Sequence, residues 1–154
     1  MNLDLKQKIA AAGLGMAVPL VIFFEGTRQQ AYLDPVSIPT ICRGHTEGVH
    51  LGQTATADQC DDMLAKDLLK ADAEMRACVL VPLTDNQRAA FASFIFNAGS
   101  GNFCGSSMAR KLNAGDLAGA CNELPRWVYA GGKVLPGLIK RRAAEKELCL
   151  RKSG

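Results

Sequence analysis

The apolar positions change their rhythm along the chain. Residues 9–24, IAAAGLGMAVPLVIFF, make a run of sixteen without a charge, preceded by Lys6 and Lys8. From residue 26 to 52 no helical period survives. Short apolar stretches alternate with Asp34-Pro35, Ile38-Pro39, Gly44, Gly48 and Gly52, which predicts a small twisted hairpin or sheet with loops. Helical spacing begins after Thr56, which with Gln59 forms a capping-box pattern. Cys60, Met63, Leu64, Leu68, Ala71 and Met75 then predict a long helix to about Cys78, before Pro82. Thr84 and Gln87 open a second helix through Phe91, Phe94 and Ile95, ended by Gly99 and Gly101. Shorter helices are expected over 107–113 and 116–124, where Gly115 and Pro125 stop them. Arg126, Trp127 and Tyr129 lead into Gly131-Gly132. A final helix is expected over 136–150, with Arg141, Arg142, Glu145 and Glu147 on its polar side and Leu138, Leu148 and Cys149 buried.

These elements predict an α+β chain, mostly helical, with one small N-terminal sheet lobe beside a helical C-terminal lobe. At 154 residues, with neither an internal repeat nor a linker, one domain is expected. A formal charge of +3 is too mild to argue for nucleic acid, yet suits approach to an anionic surface such as a bacterial wall. Six cysteines, Cys42, Cys60, Cys78, Cys104, Cys121 and Cys149, are an even number with no CxxC pair. Of the two histidines, His45 and His50, each has only Cys42 nearby, so no metal site is expected. Disulfides in an oxidising compartment are the better reading, and buried thiols the plainer one. The pairing stays open.

Two readings of residues 9–24 also stay open. As one helix the run would span about 24 Å, short of the roughly 30 Å hydrocarbon core, and Gly13, Gly15 and Pro19 weaken it. It is either a core helix, apolar all round, or a weak export segment that enters the membrane and later leaves it to join the fold. Cysteines that need an oxidising compartment favour the second. Cleavage near Gly15 or Ala17 would shorten the helix expected to carry Glu25, so no cleavage is expected.

Glu25 ends this apolar helix, where partial burial favours a protonated carboxyl, and Asp34 lies in a Pro-rich turn, where exposure favours the ion. Glycoside hydrolysis needs such a pair, one to protonate the leaving oxygen and one to handle water. Eight residues separate Glu25 from Asp34, and five separate Asp34 from Thr40. Taken alone, a Glu ending a helix and an Asp before Pro are also ordinary surface features. The stretch FFEGTRQQAYLDPVSIPTICRGHT resembles the catalytic motif of phage-type lysozymes, glycoside hydrolase family 24, whose Glu, Asp and Thr follow at these gaps. SFIFNAGSGNF, RWVYAGGKVLPGL and RRAAEKELCL resemble further segments of the family, so the likeness spans about 25–150.

The resemblance implies a lysozyme-like catalytic domain over 25–154. The activity implied is hydrolysis, with inversion, of the β-1,4 bond between N-acetylmuramic acid and N-acetylglucosamine. Glu25 would be the acid, while Asp34 and Thr40 hold the water, across a carboxylate gap of roughly 6.5–9.5 Å. It further implies Arg141 or Arg142 beside Glu25, no cofactor, and peptidoglycan as the partner of a monomer. Residues 1–24 resemble the signal-anchor-release branch, which implies transient inner-membrane association through residues 9–24 and export to the host periplasm. His45 is a candidate base, or a hydrogen-bonded support for the turn. Trp127 and Tyr129 are candidates for stacking on sugar, or core. The rival activities are a lytic transglycosylase, for which Asp34 and Thr40 are expendable, and a non-catalytic wall-binding protein.

Overall fold

The uncharged N-terminal run does not form one helix. In the computed structural model, which describes residues 1–152, it is divided between α1 (Leu3–Ala11) and α2 (Ala17–Glu25). The break is a Schellman turn: the Gly13 N–H donates to the Ala10 carbonyl and the Leu14 N–H reaches back to that of Ile9, both at 3.0 Å. Gly13 takes the left-handed conformation this turn requires, φ 73°. Ile9 and Leu14, on either side of it, are buried together in the main core. Pro19 then falls in the first turn of α2, where a missing N–H breaks no helical bond. Among the described residues no helix is long and apolar enough to cross a membrane. Nor is α2 buried all round, since Phe23 is 80% exposed.

Gly26, at φ 68°, turns the chain out of α2 into the expected hairpin, β1 (Arg28–Leu33) and β2 (Pro39–Cys42). Tyr32 lies opposite Thr40 and Leu33 opposite Pro39. Residues 53–55 run along the other edge of β1, the Ala31 N–H donating to Gln53 and the Ala55 N–H to Gln29. Ile41, Cys42, Ala55 and Cys60 make the small core of this lobe.

Both expected capping boxes form, at Thr56 with Gln59 and at Thr84 with Gln87, and they open α3 (Ala57–Cys78) and α4 (Asp85–Ala98). Helix α3 joins the two lobes: Cys60 near its start packs in the small core, while Leu64, Leu68 and Met75 pack in the large one. Helix α4 is buried at every position from Ala89 to Ile95 and forms the centre of the helical lobe. Gly99 ends it as expected, but a short helix α5 (Ser100–Cys104) follows at once and contains Gly101. Helices α6 (Ser107–Asn113) and α7 (Leu117–Glu123) lie where expected, capped by Ser106 and Asp116. Pro125 turns the chain into a single 3-10 turn, and Gly131-Gly132 forms the bend of a two-residue-strand hairpin, β3 (Tyr129–Ala130) and β4 (Lys133–Val134).

Helix α8 (Pro136–Leu150) has the expected bounds but not the expected polarity. Arg141, Arg142 and Glu145 are buried against α4, and only Glu147 of the four charges faces solvent. Their burial is possible because they bond one another and groups on other helices. All six cysteines are in disulfides, Cys42–Cys60, Cys78–Cys104 and Cys121–Cys149. The first ties β2 to α3, the second the end of α3 to α5, and the third α7 to α8.

Candidate active site

Glu25 is the last residue of α2, and its carboxylate is held from behind. Arg141, 3% exposed, reaches out of α8 and donates from Nη1 to Glu25 Oε1 at 2.6 Å. The other oxygen lies beside the loop after β2, where a Cβ on Gly44 would stand 3.1 Å from Glu25 Oε2. Gly44 has φ 82°, so both its conformation and its lack of a side chain let the backbone come this close. A cleft of about 300 Å³ opens beyond Gly44 between the lobes, lined by His45, Asp67, Lys70, Glu74, Phe96 and Ser100. Glu25 itself, half-buried, lines a second depression of about 430 Å³ with Phe24, Asn97, Leu135, Pro136 and Arg141.

The hairpin brings Asp34 and Thr40 together. Asp34 Oδ1 accepts the Val36 and Ile38 N–H groups at 2.9 and 2.8 Å, a side-chain turn that fixes the carboxylate. The Asp34 N–H and the Thr40 hydroxyl both donate to the Ile38 carbonyl, at 3.0 and 2.9 Å. Thr40 is 3% exposed, and Asp34 is half-buried rather than open to solvent as its turn suggested.

The remaining candidates separate. His45 Nδ1 pairs with Asp67 Oδ2 at 2.7 Å, tying the loop after β2 to α3. Burial raises the Asp67 carboxyl above the usual carboxylate range, with the hydrogen bond to His45 pulling the other way. Trp127 packs edge-on to Phe94, ring centroids 5.4 Å apart, as part of the helical core. Tyr129 is 65% exposed on β3. Arg142 does not reach Glu25: it donates to the Trp127 carbonyl at 2.9 Å, to Asn97 Oδ1 and to Glu145 Oε1, with its guanidinium 4.6 Å from the centre of the Phe94 ring. Sequence reasoning passed over Gly44, Ser93 and Glu145. The i,i+4 spacing of Arg141 and Glu145 was a signal for a pair, but not for a buried one.

The family model described as phage lysozyme matches residues 23–145, which include the α2 end, the hairpin and most of α8. The chain belongs to the phage lysozyme family. This phage lysozyme is a glycoside hydrolase with the two-lobed, mostly helical α+β fold expected. It is 38% identical to the SAR-endolysin of Enterobacteria phage P21, over 96% of each chain. It is 42% identical to the SAR-endolysin of Bacteriophage PS119, over 82% of this chain and 76% of that one. Among solved structures, the muramidase domain of SpmX from Asticaccaulis excentricus superposes with a TM-score of 0.82 at 37% identity, over 90% of this phage lysozyme and 97% of that chain. The active form of the P1 phage endolysin Lyz gives 0.81 at 28% identity, over 90% and 85%. The secreted inactive form of the same endolysin gives 0.53, over 68% and 74%.

Proposed function

We propose that this phage lysozyme is an endolysin that hydrolyses the β-1,4 bond between N-acetylmuramic acid and N-acetylglucosamine in peptidoglycan, with inversion. Glu25 gives its proton to the leaving glycosidic oxygen as the C1–O bond breaks. A water held by Asp34 and the Thr40 hydroxyl bonds to C1 from the opposite face and passes a proton to Asp34. The carrying observation is the setting of Glu25, which ends an apolar helix and lines an open depression with a buried arginine behind it. Asp34 and Thr40, joined through one carbonyl, form the second half of the site. The enzyme works as a monomer in the host periplasm, after a period tethered to the inner membrane through residues 9–24. The SAR-endolysin relatives and the exposed apolar side chains of α2 support that route.

The test is turbidity clearing of outer-membrane-permeabilised cells, with analysis of the released sugar ends. Glu25→Gln should lower the rate by a factor of about 10²–10⁴. Asp34→Asn and Thr40→Ala should lower it too, and the new reducing end should appear first as the inverted anomer. Undiminished clearing by Glu25→Gln would refute the assignment. An anhydro end, with Asp34 and Thr40 dispensable, would make the protein a transglycosylase instead.

A further inference from the structure

The arginine behind Glu25 is itself held in place: its guanidinium stands 2.6 Å from the Glu25 carboxylate and also faces a buried partner on its own helix. Glu145, fully buried one turn along α8, accepts from Arg141 Nε at 3.4 Å on Oε2 and from Arg142 Nη1 on Oε1. The Ser93 hydroxyl of α4 also donates to Glu145 Oε2, at 2.6 Å, while the Ser93 carbonyl takes Arg141 Nη2 at 3.3 Å. We propose that Glu145 is a positioning residue for the glycosidic reaction: it aims Arg141 at Glu25 and shares its charge.

The balance of charge can be followed group by group. Two buried arginines and one buried carboxylate leave a single positive charge behind Glu25. Burial pushes the Arg142 guanidinium down from its ordinary value, Glu145 opposes the shift and Arg141 adds to it. Among the described residues, no other charge from the elements packed on α8 is bonded to this cluster. From α4, Asp85 is exposed at the start of the helix and Arg88 is turned to Asp72 on α3, and from α7 and the turn after it Glu123 is engaged by Lys111 and Arg126. Helix α2 brings only Glu25. Across Gly44 the cleft holds the His45–Asp67 pair, Glu47, Lys70, and Glu74 bound to Ser100.

This inference rests on Glu25 being the acid, and the experiment separates the two claims. The alkaline limb of the activity profile reports loss of the essential proton. Three variants are read against wild type: Glu145→Gln, Arg142→Gln and the double variant, each checked for folding by circular dichroism and thermal midpoint. Glu145→Gln doubles the positive charge behind the acid, and its alkaline limb should move down, with kcat lowered and KM kept. Arg142→Gln removes one positive charge, and its limb should move up. The double variant keeps the wild-type balance and should restore the limb. Glu145→Gln is the variant most exposed to unfolding, because it leaves a buried arginine without its partner. Arg142→Gln then decides, since a purely structural role lowers its activity without displacing the limb. A stationary limb in a single variant that folds, or a displaced limb in the double variant, overturns the role of Glu145, whereas activity in Glu25→Gln overturns the acid itself.

Discussion

Gly44 shows how much of this site depends on a residue with no side chain. Its backbone passes Glu25 Oε2 at a distance that a Cβ would reduce to 3.1 Å, and at φ 82° it occupies a region that costs other residues roughly 1–2 kcal/mol. Alanine there should strain the loop and press on the carboxylate from the side opposite Arg141. Gly44→Ala is expected to lower wall-clearing activity at least tenfold while reducing the thermal midpoint by only a few degrees. Activity within twofold of wild type would mean that Glu25 has room to move. The contrast with Asp34 is instructive, because there position comes from bonds rather than from space. Two N–H groups hold one oxygen, and the Ile38 carbonyl links the turn to Thr40. The two halves of the proposed site are fixed by different means.

At the scale of elements, the turn at Gly13 breaks the N-terminal run that the proposed tether would need as one helix. In the fold, Gly13 closes α1 with a left-handed cap and lies against Asp85 at the start of α4, leaving no room for a Cβ. Gly13→Ala should therefore cost the folded enzyme about 1–2 kcal/mol or more, while making a continuous helix over 9–24 easier. The expected outcome is a lower thermal midpoint together with a larger fraction of the chain sedimenting with inner membranes. A variant equally soluble and equally stable would contradict the tether. The same elements show what the chain makes legible. Capping boxes, most stop signals and the β hairpin could be read because each is set by residues within a few positions, while Glu25, Asp34 and Thr40 became candidates through their motif alone. The polarity of α8 was misread, because a charge whose partner lies 116 residues away, as Glu25 does from Arg141, looks like a surface charge to any periodicity. Helix α5 was missed because Gly99 and Gly101 read as a stop, although Gly99 is a hinge between two helices.

Across the whole molecule, the disulfides link compartment to stability. They close loops of 18, 26 and 28 residues, and a loop of this size stabilises a fold by about 3 kcal/mol through the entropy of the unfolded chain. Three together contribute on the order of 9 kcal/mol, comparable with the total stability of about 5–15 kcal/mol of an ordinary domain. The bonds also cover the fold evenly, since one holds the sheet lobe to α3 and two brace the helical lobe. Reduction should therefore weaken both lobes and not only one edge. Calorimetry with and without dithiothreitol should show the unfolding midpoint falling by tens of degrees, or the cooperative transition disappearing. Removing Cys42–Cys60 alone, as paired serines, should cost more activity than removing Cys121–Cys149, because Cys42 leads directly into the Arg43-Gly44-His45 loop beside Glu25. A midpoint that barely moves on reduction would show that the hydrophobic core suffices. The oxidising compartment would then be a destination of the enzyme rather than a condition of its folding.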